Sequence, residues 1–185
     1  DLDAFVANWT HKNRIYLGNG DGTFTASDAS TDTNSSYDVA VGDFSNDGNC
    51  DAFVTNGGQE NRIYIGHGNG TFTVTDASTN TYNSRGAATG DIDKDGNLDV
   101  IVTNYGERDV VYIGNGDGTF TDGSATIDTN NSWDAAIGGF QRFFDQPEVF
   151  VANLNQKNRI YSDYSGAISF SESDDASTDT NASRG

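Results

Sequence analysis

The segment DVIVTNYGERDVVYIGNGDGTFT, residues 99–121, contains the pattern from which the fold of this chain is predicted. Apolar, β-branched and aromatic residues form two short runs, which are typical of strands, and Gly, Asn and Asp lie between and after them. The sequence GNGDG near its end supplies residues that tolerate positive φ, which a tight hairpin requires. The segment therefore predicts short strands joined by turns, and it contains no helical periodicity.

This segment is one of four related copies in the chain. The others are DAFVANWTHKNRIYLGNGDGTFT from Asp3, DAFVTNGGQENRIYIGHGNGTFT from Asp51 and EVFVANLNQKNRIYSDYSGAISF from Glu148. One Asn of each copy recurs with spacings of 48, 48 and 49 residues, at Asn8, Asn56, Asn104 and Asn153. Self-similarity at a fixed period of this size indicates a repeat architecture.

Each repeat of about 48 residues is predicted to contain four strands. A β-propeller blade has the same number of strands and about the same length. The run before each second strand is small and apolar (YDVAVGD, RGAATGD and WDAAIGG), as expected next to a crowded propeller axis. We predict an all-β fold of four-stranded antiparallel blades in one array over residues 1–185, with repeat units 1–36 (partial), 37–84, 85–132 and 133–185. A stack of independent hairpins or a β-solenoid is the alternative. We expect a partial propeller, completed by further segments or by another chain.

Composition narrows the functional classes. The 185 residues include 28 acidic and 10 basic residues, which gives a formal net charge of -18. This charge disfavours binding to nucleic acid and to anionic membrane surfaces, and it attracts cations. No apolar run approaches the length of a membrane helix, so membrane insertion is not expected. Cys50 is the single cysteine, which excludes a disulfide framework within the chain, and we expect it to be buried like an apolar residue because its repeat equivalents are Leu2 and Leu98.

Residues 91–99, DIDKDGNLD, concentrate four carboxylates in one turn. Asp91, Asp93 and Asp95 alternate, Gly96 permits a sharp bend, and Asp99 closes the loop. A hard cation that needs six to eight oxygen ligands fits such a set, whereas without a cation the carboxylates would raise one another's pKa. We predict Ca²⁺ here in preference to Mg²⁺, which demands a stricter octahedron. Solvated Asx turns without an ion are the alternative.

A second loop, DFSNDGNCD over residues 43–51, has the same spacing but contains Ser45 where the first has Asp93. This substitution predicts a weaker, less charged site. An EF-hand is excluded because its twelfth position would be Val102 instead of Glu, and because both flanks are predicted strands.

The D-x-[DS]-x-D-G-x-x-D loop between strands, followed by LGNGDGTF or IGNGDGTF, resembles the FG-GAP/VCBS repeat. That repeat builds the propeller of integrin α subunits and of many secreted or surface proteins of microbes. The resemblance implies an extracellular or cell-surface β-propeller with Ca²⁺ in the loop between the first and second strands of a blade. The implied ligands are Asp43, Ser45, Asp47, Asn49 and Asp51 in one blade and Asp91, Asp93, Asp95, Asn97 and Asp99 in the next.

Two places depart from this pattern. At the start of the chain only Asp1 and Asp3 of such a loop are present, so an ion there would be incompletely coordinated. In the fourth repeat the loop reads GGFQRFFDQPE, with Gly139, Gln141 and Phe143 at the ligand positions, and we predict no ion there.

Two further groups of residues are candidates for surface roles. Trp9 and Tyr105 lie in the variable loop after the second strand, where they would stack on a sugar, anchor a protein partner or pack against the next blade. Five N-x-[ST] sequons are possible glycosylation sites in a secreted protein, or a product of the Asn-, Ser- and Thr-rich composition: Asn8, Asn34, Asn69, Asn130 and Asn181.

These features favour a calcium-stabilised extracellular structural or adhesion module, part of a larger surface or secreted protein, that contacts a protein or glycan through its loops. The alternatives are a lectin propeller and an accessory, non-catalytic domain of a secreted hydrolase. Catalysis is not expected, because His11 and His67 are not repeat-equivalent and lie near no recognisable nucleophile motif.

Overall fold

A computed structural model describes residues 1–125, 129–139, 147–161 and 173–175 of the chain. These residues form strands, turns and connecting loops, and within them no helix long and apolar enough to cross a membrane is present. The strands are β1 Ala4–Val6, β2 Arg14–Gly18, β3 Phe24–Asp28, β4 Ser36–Gly42, β5 Asp51–Asn56, β6 Arg62–Gly66, β7 Phe72–Asp76, β8 Ser84–Gly90, β9 Asp99–Asn104, β10 Val110–Gly114, β11 Phe120–Ala125, β12 Ser132–Gly138, β13 Glu148–Asn153, β14 Arg159–Tyr161 and β15 Ser173–Asp175.

The strands pair into four antiparallel sheets in sequence order. The first sheet is β1-β2-β3, and the other three are β4-β5-β6-β7, β8-β9-β10-β11 and β12-β13-β14-β15. The small apolar runs YDVAVGD, RGAATGD and WDAAIGG coincide with β4, β8 and β12 to within one residue at each end. The prediction of an all-β partial propeller with four-stranded blades is confirmed. The division into exact repeat units stays a prediction.

The first strand of each four-stranded sheet lies innermost. Strand β8 contacts both β4 and β12, so neighbouring sheets approach one another through these strands. A Cβ atom added to Gly86 of β8 would lie 2.7 Å from the carbonyl oxygen of Trp133 in β12, closer than side-chain carbons approach in real structures. The small residues predicted for this strand are therefore required by the close approach of the backbones.

The core lies between adjacent sheets, because residues of the second strands alternate between two neighbours. Phe53 of β5 packs with Val100 and Tyr112 of the third sheet, whereas Val54 faces the first sheet and packs with Phe5. Each of the six residues of β5, and likewise of β9, is buried. Full burial of one such apolar side chain stabilises the fold by about 1.5–3 kcal/mol, so a blade without neighbours would lose most of its core.

The Asn at the end of each second strand closes the turn that follows it. The backbone N–H of Asn56 donates to Oδ1 of Asn61 (2.9 Å), and Nδ2 of Asn56 donates to the carbonyl oxygen of Glu60 (2.7 Å). Asn104 makes the same two hydrogen bonds, to Asp109 Oδ1 and to the carbonyl oxygen of Arg108. This closure of the turn by a buried side chain explains why the Asn marks the repeat.

The prediction that Cys50 is buried is wrong, since the residue is exposed. Its equivalent in the next repeat, Leu98, packs against Gly42 of β4, where an added Cβ would meet Leu98 Cδ1 at 2.5 Å. The three-stranded first sheet offers Cys50 no strand equivalent to β4. Burial at this position therefore depends on the innermost strand of the preceding blade.

Candidate metal centre

The two acidic loops connect the first and second strands of consecutive sheets. Residues 43–51 join β4 to β5, and residues 91–99 join β8 to β9. Each loop bends through two residues in the left-handed region, Asn46 (φ 55°) and Gly48 (φ 85°) in one and Lys94 (φ 63°) and Gly96 (φ 94°) in the other. Glycine occupies the second bend because φ values of 85° and 94° lie beyond the small left-handed region that residues with a Cβ atom can enter.

The last Asp of each loop is a buried acceptor for backbone N–H groups. Asp99 Oδ2 accepts from the N–H groups of Ile92 (2.7 Å) and Asp93 (3.3 Å), and its Oδ1 accepts from Gly114 at the end of β10 (2.9 Å). Asp51 makes the equivalent three bonds to the second loop and to the end of β6. Each of these carboxylates therefore ties its loop to the third strand of the same blade.

Three carboxylates of the loop 91–99 converge on one point. One oxygen from each of Asp91, Asp93 and Asp99 lies within 4.8 Å of the others. Asp91 Oδ2 accepts from the N–H of Gly96 (3.2 Å), but its Oδ1 is buried and accepts no hydrogen bond from the described residues. A buried acceptor without a donor costs about 1–3 kcal/mol, and a cation that is bound through this oxygen would remove that cost.

The carboxylates of this loop do not all shift in the predicted direction. Burial, and then the charges of Asp95 and Asp91, raise the pKa of Asp93 above its ordinary value. Burial likewise raises the pKa of Asp99, against the effect of its backbone donors. The pKa of Asp95 is instead lowered, because the backbone N–H and the side-chain amide of Asn97 donate to it. The expectation that every carboxylate raises its neighbour's pKa is therefore wrong for Asp95.

Asp95 and Asn97 bond to each other and lie outside the convergent group. Asn97 donates to Asp95 from its backbone N–H (2.7 Å, to Oδ1) and from Nδ2 (2.8 Å, to Oδ2). Oδ1 of Asn97 accepts from Nδ2 of Asn46 in the neighbouring loop (2.8 Å). A role for these two residues as ligands stays a prediction.

The loop 43–51 has the same frame with fewer converging charges. Asp43 accepts from the N–H groups of Asp47 (3.1 Å) and Gly48 (2.9 Å), and Asp47 Oδ1 accepts from the N–H of Asn49 (2.8 Å), which lowers the pKa of Asp47. The Ser45 hydroxyl is buried, and its interaction with Asp47 contributes to that lowered pKa. Over the residues described, the group of three close carboxylates occurs at 91–99 and not at 43–51.

The remaining site candidates lie away from the acidic loops. Trp9 is exposed (65%) and its backbone pairs with Ser35, whereas Tyr105 is half-buried and pairs with Asn131, so both loops pack against the segment that leads into the next sheet. Whether either ring contacts a ligand stays a prediction.

The sequons and the degenerate loop complete the predicted positions. Asn69 is exposed, Asn8, Asn34 and Asn130 are partly exposed, and their glycosylation stays a prediction. Of the three residues named in the prediction of an ion-free fourth loop, Gly139 is described, whereas Gln141 and Phe143 lie outside the described residues. The sequon at Asn181 also lies outside them.

Sequence reasoning missed Arg85, whose guanidinium lies over the ring of Tyr37. The available signal was one repeat position occupied by Tyr37, Arg85 and Trp133, three large side chains at the start of strands that are otherwise built of small residues. Large residues at the crowded end of an innermost strand indicate a special environment.

A family profile described as "FG-GAP-like repeat" matches the chain three times, over residues 1–54, 43–102 and 91–139. The chain belongs to the FG-GAP-like repeat family. Successive matches overlap at 43–54 and 91–102, which are the two acidic loops with the start of the strands that follow. FG-GAP-like repeats are typical of integrin-like, extracellular modules of the adhesion type. A search of curated proteins found no match to this chain.

Proposed function

We propose that this FG-GAP-like array is an extracellular structural or adhesion module in which calcium holds the acidic loops in their folded shape. The cation would be bound by Asp91, Asp93 and Asp99, with a second and weaker site at residues 43–51. When bound, Ca²⁺ would supply positive charge and accept oxygen ligands; it would carry out no reaction. The opposite ends of the sheets then serve as a rigid surface for a protein or glycan partner.

Two observations on the same loop carry this proposal: Asp91, Asp93 and Asp99 bring carboxylate oxygens within 4.8 Å of one another, and Oδ1 of Asp91 is buried without a partner among the described residues. Hydrogen bonds within the loop satisfy one oxygen of Asp91 and leave this one without a donor. Carboxylate oxygens are the ligands that calcium prefers, and the bent loop presents several of them from one short segment. Because the unfolded chain has no such arrangement, binding free energy becomes folding free energy.

A comparison of thermal unfolding in saturating calcium and in EGTA tests this function. At a calcium concentration of about 100 times Kd the ion stabilises the folded state by about 2.7 kcal/mol. For a chain of this size that corresponds to a rise in Tm of roughly 5–10 °C. An unchanged Tm in EGTA would contradict the proposal.

Matched variants locate the effect in the loop. Asp91→Asn and Asp93→Asn should each abolish most of the calcium-dependent rise, because each removes a charged ligand. Asp122→Asn is the control, since it removes the same charge from an exposed residue of β11 and should leave the rise intact. An equal rise in all three variants would place the cation elsewhere.

We also propose that the module is not an enzyme. What supports this is that both histidines are exposed and engaged locally: His11 Nδ1 lies 3.0 Å from the carbonyl oxygen of Trp9, and His67 Nε2 lies 3.0 Å from Thr73 Oγ1. With its net charge of -18 the module would bind neither nucleic acid nor an anionic membrane surface. Further propeller segments, or another chain, would complete the array of blades.

A further inference from the structure

Arg85 lies at the end of the sheets opposite to the acidic loops. It is the second residue of β8, whereas the loop 91–99 follows the last residue of the same strand. The turn after β9, which contains Tyr105, lies at the same end as Arg85 because β8 and β9 are antiparallel. The surroundings of Arg85 are therefore independent of the candidate cation site.

Three aromatic rings from three successive sheets surround the guanidinium. The Arg85 Cζ atom lies 3.8 Å from the ring centroid of Tyr37, 5.7 Å from that of Tyr105 and 5.8 Å from that of Trp133. Cation–π attraction holds the planar guanidinium in place, and distances below about 6 Å are effective. We call this group the Arg85 cluster: Tyr37, Arg85, Tyr105 and Trp133.

Among the described residues the guanidinium of Arg85 has no counterion. No carboxylate of the described residues lies within 4.0 Å of its guanidinium, although the chain contains 28 acidic residues. Arg14 and Arg62, by contrast, pair with Asp28 and Asp76. Nε and Nη1 of Arg85 are buried without an acceptor, and Nη2 is neither buried nor bonded to any described residue. Nη2 is therefore the donor that an incoming ligand meets first.

The rings are held in place by the backbone around them. Tyr37 packs against Gly57, where an added Cβ would lie 2.6 Å from Tyr37 Cε2, so only glycine at that position leaves room for the ring. The backbone of Tyr105 pairs with Asn131 beside β12. Tyr37 nevertheless remains 40% exposed, and Tyr105 and Trp133 are partly exposed. The cluster thus combines a fixed cation with aromatic surface that is open to solvent.

We propose that the Arg85 cluster binds a sugar that carries a single carboxylate, such as a uronic acid. The carboxylate would accept a charge-assisted hydrogen bond from Nη2, and the C–H faces of the sugar would lie on the exposed aromatic surface. Three carboxylates follow the aromatic residues closely in sequence: Asp38 after Tyr37, Asp134 after Trp133, and Glu107 two residues after Tyr105. They would repel a ligand with many negative charges. A monoanion with an apolar face fits these surroundings better than an acidic peptide or a sulfated polymer.

This proposal gives the partner-binding role proposed above a ligand class, and it does not depend on calcium. The test is a titration of the full chain, labelled with ¹⁵N, with four separate ligands: D-glucuronate, D-glucose, acetate and a short peptide ending in glutamate. Binding should shift the indole N–H signal of Trp133, while that of Trp9, which makes no described ring contact with the cluster, serves as an internal reference. A Trp133→Phe variant assigns the two signals.

The expected result is a saturable shift with glucuronate, at least tenfold weaker binding of glucose and acetate, and loss of the shift in Arg85→Gln. Arg85→Lys, which keeps the charge but not the planar donor group, should bind at least tenfold more weakly than the wild type. Arg14→Gln is the control and should bind like the wild type, because Arg14 lies at a different site, paired with Asp28. Dispersed amide signals in each variant establish that it is folded.

Several results would overturn the proposal. No shift with glucuronate would do so, as would an unchanged shift in Arg85→Gln. Equal binding of acetate would show that the sugar is not recognised. Tighter binding of a short peptide ending in glutamate would assign the cluster to a protein partner instead. The calcium dependence of Tm, measured on the same samples, reports separately on the proposed cation site.

Discussion

The loops 43–51 and 91–99 share one backbone and differ in the charge that it gathers. Both bend through left-handed residues at equivalent positions, and both end in a buried Asp that accepts three backbone N–H groups. Only the loop 91–99, within the described parts of the chain, brings three carboxylates within 4.8 Å. The main difference between the two sets of candidate ligands is that the loop 91–99 has Asp93 where the loop 43–51 has Ser45.

The aspartates of these loops have two different roles, shaping the loop and supplying charge, although the sequence pattern does not distinguish them. Asp51 and Asp99 satisfy backbone donors and shape the loop with or without an ion, because their hydrogen bonds are already present. Asp91 and Asp93 add negative charge that the hydrogen bonds of the loop stabilise only in part: Oδ1 of Asp91 has no donor among the described residues, and the pKa of Asp93 is raised. The frame is therefore a property of the repeat, and the cation affinity is set by a few positions within it.

The largest effect is expected from loss of the closing carboxylates. Asp99→Ala and Asp51→Ala each leave three backbone N–H groups of the loop and strand end without their acceptor, and each should lower the free energy of unfolding in EGTA by about 3 kcal/mol or more. Urea unfolding followed by circular dichroism measures this loss. In calcium, Asp99→Ala should lose additional stability, whereas Asp51→Ala should keep the ion at 91–99. A loss below about 1 kcal/mol for both would contradict the framing role.

Exchange of the distinguishing residue should exchange the properties of the loops. Asp93→Ser should weaken calcium binding at 91–99 by about tenfold, equivalent to about 1.4 kcal/mol, because one charged ligand is lost. Ser45→Asp should strengthen binding at 43–51 by a similar factor. Isothermal titration calorimetry of the two single variants and the double variant measures these changes. If Ser45→Asp leaves calcium binding unaltered, the difference between the loops does not lie at this position.

A smaller effect is expected from pH in the absence of calcium. The pKa of Asp93 is raised above its ordinary value of 3.8 in the folded state, so its contribution to stability is greatest below that value and is lost as pH rises through the raised pKa. In calcium-depleted buffer the Tm of Asp93→Asn should therefore rise relative to that of the wild type between about pH 3 and about pH 6.

Asp95→Asn provides a control of opposite sign. The pKa of Asp95 is lowered, so its contribution is present above the ordinary value and is lost as pH falls. This variant should fall behind the wild type as pH rises over the same range. The same pH trend in both variants would mean that the charges of the loop act only through the net charge of the protein.

The smallest effect is expected at the contact between the two loops. Asn46→Gly keeps a residue suited to positive φ but removes the hydrogen bond from Asn46 Nδ2 to Asn97 Oδ1. The bond is exposed, so we expect a loss of about 0.5–1 kcal/mol. A double-mutant cycle with Asn97→Ala, measured by urea unfolding, isolates the pair. A coupling energy indistinguishable from zero would show that the loops are energetically separate.

The strands and their order could be predicted from the sequence because the repeat supplies each signal several times. The alternation of Phe53 and Val54 between neighbouring sheets follows from the period of a β-strand, and the turn after Asn56 recurs in every copy. The positions of Asp91, Asp93 and Asp99 follow from their spacing along one loop. Patterns of this kind can be read from the sequence because they depend on residues within one strand or one loop.

What could not be predicted depends on contacts between blades. Cys50 is exposed because burial at its position requires an innermost strand in the preceding sheet, which the apolar character of its repeat equivalents does not reveal. Tyr37, Arg85 and Trp133 occupy one repeat position, 48 residues apart, but the contact between their side chains depends on how closely the first strands of neighbouring blades approach. The pKa of Asp95 is lowered by the backbone N–H of Asn97 and then by its side-chain amide, whose Oδ1 accepts a hydrogen bond from Asn46 in the loop of the neighbouring blade.

The central claim is that the carboxylates of residues 91–99 converge on a divalent cation. The most direct test is a crystal structure of the protein grown in calcium, with anomalous scattering data to identify the ion. We predict an anomalous peak about 2.3–2.6 Å from carboxylate oxygens of Asp91, Asp93 and Asp99, and a weaker peak or none at residues 43–51. Ordered density for the loop without a peak, at saturating calcium, would contradict the claim.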